Sequence, residues 1–173
     1  MIAGVADTHT ALWHLFDDKR LSAAAAAFIN EAATARRKIA ISTISLAEVV
    51  YLIEKNRLPL SAYDELTQAS ADPEHAFTEA VFSAAIVQAM RQVSRAEVPD
   101  MPDRMVAATA VYFGVPVISR DKRIRADSLQ RWHNLYSPSW IVISQSTARS
   151  AAKVLSGLVN SAVQSVSPAP RSA

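Results

Sequence analysis

Between Val98 and Ala126 the chain reads VPDMPDRMVAATAVYFGVPVISRDKRIRA, and the order of parts in this stretch constrains the fold more than any other. Pro99 and Pro102 bracket Asp100 and break what precedes them. Pro102 suits the first turn of a helix, where its missing N–H costs nothing. Met105, Val106, Ala108, Thr109, Val111, Tyr112 and Phe113 then give a helix that is apolar on most of its circumference, and Gly114 stands where a C-terminal stop is expected. Val115, Val117 and Ile118 form a β-branched run, too short for a helix and typical of a buried parallel strand. Pro116 is tolerable there only near the start of the strand. Ser119, Arg120 and Asp121 follow where that strand ends. A helix, a glycine stop, a buried strand and an acid make up half of a doubly wound α/β arrangement. Ligands bind such sheets outside the carboxyl ends of the parallel strands, which is where Asp121 falls. Asp103 reaches the same edge only if its helix starts there.

The remaining chain supplies more units of the same kind. Ile2 to Ala6 reads as a strand ending at Asp7, followed by a helix over Ala11 to Phe16. Leu21 to Arg37 is an alanine-rich helix closing on Arg36, Arg37 and Lys38. Ile39 to Ser42 is a second strand. Ser45 is placed to cap a helix from Leu46 to Lys55, with Glu48 as the far half of a capping box. Leu60 to Ser70 is an amphipathic helix broken at Asp72-Pro73. Phe77 to Val93 reads as one long helix, with apolar faces from Ala80, Phe82, Ala84, Ile86, Val87 and Met90. Ser128 to Trp132 and Trp140 to Ile143 compete to be the last strand. From Ser144 the chain is rich in serine and alanine without an aromatic residue, a weak helix followed by a disordered end. We therefore expect an α/β domain over 1–143, with a mainly parallel central sheet, and an extension over 144–173.

Composition closes off several kinds of chemistry. Only 3 glycines are present, and neither the GxGxxG nor the GxxxxGK[ST] phosphate loop occurs. The absence of cysteine removes disulfides, thiolate zinc sites and thiol nucleophiles, and fits a reducing cytoplasm. Asp7 interrupts the first apolar stretch, so neither a signal peptide nor a membrane span is expected. A net charge of only +2 means that any affinity for nucleic acid must come from local clustering.

The chemical signal is a set of carboxylates: Asp7, Glu48, Asp100, Asp103 and Asp121. Each has a structural explanation by itself. Asp7 and Asp121 can be N-caps, Glu48 part of a capping box, and Asp103 a complement to the helix dipole. As a set they say more, because parallel strands bring their carboxyl ends to one edge. Like charges held there repel one another unless a cation neutralises them. An all-oxygen cluster selects Mg²⁺ or Mn²⁺, ions that serve phosphodiester hydrolysis. Arg120, Lys122, Arg123, Arg125 and Arg131 crowd one short stretch, and Arg104 adjoins Asp103. A solvated face explains such cations by default, but beside an acidic edge they suit a phosphate backbone. Of the four histidines, His9 follows Asp7 closely and can orient a ligand, while His14, His75 and His133 read as surface or core residues.

VADTHTALWHL, SLAEVVYL and PDRMVAATAVYFGVPVISRDKRIRA resemble, in this order, the signature blocks of PIN-domain ribonucleases, in particular the toxin component of VapBC-type toxin–antitoxin modules. The resemblance runs from Met1 to about Trp132. It implies an α/β/α fold, an acidic pocket for Mg²⁺ or Mn²⁺, endoribonuclease activity, homodimerisation and a cognate antitoxin. By position it makes Asp7, Glu48, Asp103 and Asp121 the catalytic, metal-binding acids. Ser119 matches the hydroxyl beside the last acid, with Asp100 and Thr8 in supporting positions and Arg104, Arg120, Lys122, Arg123 and Arg125 on the substrate side. Similar members usually end near the aromatic that Trp132 matches, so the longer C-terminus is a departure. Two rivals remain. One is a PIN-fold module that binds RNA or protein without cleaving. The other is a phosphatase with an aspartyl nucleophile, which usually wants a second acid where His9 stands.

Overall fold

The computed structural model describes residues 1–120. Asp121, the two competing last strands and the 143/144 boundary lie outside them. The described chain runs β1 (Ile2–Ala6), α1 (Thr8–Leu15), α2 (Ala23–Thr34), β2 (Lys38–Ser42), α3 (Thr43–Glu54), α4 (Ala62–Ala71), β3 (Phe77–Ala80), α5 (Ala84–Met90), α6 (Met101–Phe113) and β4 (Val117–Ile118).

The four strands form one sheet in the order β3-β2-β1-β4, with every pairing parallel. All of their carboxyl ends therefore lie along one edge. Alternation along each strand divides the interior in two. Ala6, Ile39, Ile41, Phe77 and Ile118 face a cluster that includes Ala11, Leu12, Ile29, Leu46, Val49 and Leu66 from α1, α2, α3 and α4. Val5, Ala40, Ala80 and Val117 face Ile86 of α5 and Val106, Ala107 and Ala110 of α6. Helices thus cover both faces, giving the three-layer α/β/α architecture.

Two expectations need correction. Phe77 to Val93 is not one helix, because its first residues are β3, with Ile39, Ala40, Ile41 and Ser42 opposite Phe77, Thr78, Glu79 and Ala80. Phe77 is fully buried, so pairing with β2 and core burial outweigh helical propensity. The second correction concerns α3, whose N-cap is Ser42 and not Ser45. Glu48 consequently sits deeper in the helix than a capping box requires. Elsewhere Gly114 ends α6 in the left-handed conformation, φ 69°, as expected of it. Pro116 stands just ahead of β4, and its carbonyl accepts from the Val5 N–H at 2.9 Å.

Phe77 lies between two histidines, His14 of α1 and His75, with ring centroids at 5.3 and 5.0 Å. Burial is the main cause lowering both imidazoles from their ordinary value of 6.5; at His75 an upward pull from Asp72 outweighs the further lowering by Lys38, and at His14 the lowering by His75 outweighs an upward pull from Asp17. The folded chain therefore takes up protons less readily than the unfolded chain. The stabilising contribution is complete above pH 6.5 and is lost as pH falls through that value toward the lower folded ones. Melting temperature is expected to fall between pH 7.5 and 5.5, and His14→Gln is expected to flatten that slope. Equal slopes for wild type and variant would exclude His14 as the cause.

Candidate active site

Asp7 directly follows β1 and caps α1. Its backbone is extended, and Oδ1 accepts from the Thr10 N–H at 2.6 Å. The capping explanation of Asp7 is thus physically correct. It occupies one carboxylate oxygen and assigns no hydrogen bond to Oδ2 among the described residues. The Asp7 N–H donates to the Ile118 carbonyl at 3.1 Å, which sets Ser119 beside Asp7 across the β1–β4 pairing. Asp7, Thr8 and Ser119 are all buried.

Glu48 arrives from α3. The Thr8 hydroxyl donates to Glu48 Oε2 at 2.6 Å, a short charge-assisted bond between residues 40 positions apart. Thr8 is only 2% exposed, so its single proton is committed within the fold. The residue after Asp7 thus fixes the Glu48 carboxylate, tying α3 to the start of α1.

Asp103 lies in the first turn of α6, behind Pro102. α6 leads into a parallel strand on its own side of the sheet, so it runs antiparallel to the strands and starts at their carboxyl edge. The hydroxyls of Thr109 and Ser42 are 3.3 Å apart, which pins the middle of α6 at the carboxyl end of β2. At 1.5 Å per residue, Asp103 stands about 9 Å farther along that helix, beyond the sheet edge. Asp100 occupies the N-cap position of α6 without a side-chain capping bond.

The donor chemistry suits a hard cation, since Asp7, Glu48 and Asp103 offer carboxylate oxygen alone. Among the described residues, however, no three His, Cys, Asp or Glu side chains lie close enough to hold a metal ion. Asp121 lies outside the described residues. Lys122, Arg123 and Arg125 lie there too.

The remaining basic residues divide. Arg104 Nη2 donates to the Val93 carbonyl at 3.3 Å, tying α6 to the segment after α5, and its buried Nε has no hydrogen-bond partner among the described residues. Arg120 is exposed directly after Ser119, with its guanidinium carbon 5.9 Å from the centre of the Trp13 ring. Sequence reasoning missed Trp13, although His9 and Trp13 are four apart on the helix that Asp7 caps. It also missed the Ser42–Thr109 contact, which no local pattern announces. Ser45, once its capping role is removed, is a fully buried hydroxyl with no hydrogen-bond partner among the described residues.

The PIN domain family matches residues 5–127 of this chain. The chain belongs to the PIN-domain family. It is 30% identical over 120 residues to Ribonuclease VapC22 of Mycobacterium tuberculosis (strain ATCC 25618 / H37Rv), a match covering 69% of this chain and 88% of that protein. The fold is also similar to the crystal structure of VapBC2 from Rickettsia felis bound to a DNA fragment from their promoter. That likeness has a TM-score of 0.54 at 17% identity, covering 73% of this chain and 92% of the other.

Proposed function

We propose that this chain is a Mg²⁺- or Mn²⁺-dependent endoribonuclease, the toxin of a toxin–antitoxin pair acting in the cytoplasm. The observation that carries the reading is that Glu48 of α3 is bonded by the hydroxyl of Thr8, the residue next to Asp7, while Asp7 itself is held by the Thr10 N–H just past the carboxyl end of β1. A module that only gripped RNA would gain nothing from two anions fixed where phosphates must approach. The similarity to a protein named ribonuclease supports the same choice.

In this reading Asp7, Glu48, Asp103 and Asp121 hold the cation. When bound, the ion supplies charge stabilisation at the scissile phosphate and lowers the pKa of a water. The chain's own work is positional. The Asp7 cap fixes one carboxylate by its backbone, Thr8 fixes the second, and Ser119 stands next to Asp7 at the end of β4. Arg120, with Lys122, Arg123, Arg125 and Arg104, provides positive charge for the RNA backbone, which acids alone would repel. A homodimer and a cognate antitoxin complete the proposal. The antitoxin is expected to set an Arg or Lys against Asp7, Glu48 and Asp103.

RNA cleavage is expected to require Mg²⁺ or Mn²⁺ and to stop in EDTA, returning when the ion is restored. Full cleavage after exhaustive chelation would overturn the metal-dependent mechanism, and RNA binding without cleavage in either ion would favour the non-catalytic module.

A further inference from the structure

The flank of the acid edge carries a group of planar side chains. Trp13 of α1 is half-buried, with the Arg20 guanidinium carbon 5.4 Å and that of Arg120 5.9 Å from its ring centre. The His9 ring lies 5.7 Å away, tilted by 53°. Asp18 holds Arg20 in a fork, taking Nε at 3.0 and 3.1 Å and Nη2 at 2.6 Å. Arg20 is therefore a fixed plate whose charge is offset locally, while His9 and Arg120 are exposed.

We propose that Trp13, His9 and Arg120 form a stacking subsite for one unpaired nucleobase of the RNA. The inference rests on the nuclease reading above and names where that substrate's base is held. Arginines lying on a surface tryptophan can simply cover its apolar ring. Position argues for more here. Arg120 follows Ser119 directly, His9 is two residues from Asp7, and the Asp7 N–H bonds the Ile118 carbonyl. The rings thus lie on the path of any strand whose phosphate crosses the acid edge. Single-stranded RNA offers splayed bases that stack on aromatic and guanidinium planes, and such stacking tolerates any base. A peptide would match the rings but not the pairing of cations with a phosphate-cleaving edge.

The test uses the full chain in EDTA, where binding can be read without cleavage. Fluorescence anisotropy compares a labelled short random-sequence single-stranded RNA with an abasic ribose-phosphate oligomer of equal length. Wild type is expected to prefer the RNA. Trp13→Ala is expected to weaken RNA binding by roughly 5- to 150-fold, the range for one lost base stack, with little change for the abasic oligomer. Trp13→Phe should keep most of the preference, and in the metal-loaded protein Trp13→Ala should raise KM more than it lowers kcat. If Trp13→Ala fails to fold, His9→Ala and Arg120→Gln decide, because both positions are exposed. An unchanged RNA preference in these variants, with wild type still cleaving RNA, overturns the subsite and leaves the nuclease reading standing. A wild type that neither binds nor cleaves RNA overturns both.

Discussion

Asp7→Asn is expected to lower RNA cleavage by on the order of a thousandfold or more while leaving the fold close to wild type in stability. The two effects separate because the residue does two jobs with different atoms. As the N-cap of α1 it needs an oxygen that accepts from the Thr10 N–H, and Asn supplies one, being an equally good cap. As a member of the acid edge it needs negative charge, which Asn lacks. Loss of one preorganised group at a site of transition-state charge typically costs about a hundred- to a thousandfold, and loss of a metal ligand also misplaces the ion. Asp7→Ala should lose the cap as well, at about 0.5–2 kcal/mol. Thermal melts of both variants beside one cleavage assay are sufficient. An Asp7→Asn protein that cleaves RNA at the wild-type rate would confine Asp7 to capping.

The second large effect is expected at Asp103, read through the response of the fold to Mg²⁺. An ion bound only by the folded chain stabilises it by mass action, about 2.7 kcal/mol at a hundredfold excess over Kd. Wild type should therefore melt several degrees higher in Mg²⁺, and Asp103→Asn should lose most of that rise together with cleavage. Without metal, the variant should be at least as stable as wild type, because like-charge repulsion at the edge is relieved. If Asp103 served only the dipole of α6, Asn would cost a few tenths to about 1 kcal/mol, and the metal response and activity would survive. A destabilised, Mg²⁺-responsive and active variant would return Asp103 to that role.

Much of the fold was legible because buried parallel strands leave a strong local mark. Ile2–Ala6 before Asp7, the strand closing at Ser42, and the helix–Gly114–strand unit each declare themselves through short apolar runs and stop signals. β3 was not legible, since Phe77–Ala80 is too short and too mixed to separate from the helix that follows. Only its partner β2 makes it a strand. The start of α3 was misplaced because Ser42 ends a strand and caps a helix in one residue, while Thr43 and Ile44 read as continued strand. At the site, the sequence offered capping and ligation as alternatives for Asp7, and the geometry makes them compatible. The Thr8–Glu48 bond could not be read, because it joins residues brought together only by the packing of α1 against α3.

The parallel pairing of β1 with β4 has a consequence for how the protein comes to exist. The first strand to be synthesised lies inside the sheet, and its neighbour on one side is formed from residues 117–118. Until those emerge, the N–H groups of Val5 and Asp7 lack the Pro116 and Ile118 carbonyls that receive them in the finished fold. Closing so long a loop is entropically costly and slow compared with local helix formation. Ser119 and Arg120 also join Asp7 only at this step. A growing chain thus carries the acids of its N-terminal half without a completed edge around them, and assembly of the site is deferred until most of the domain has left the ribosome.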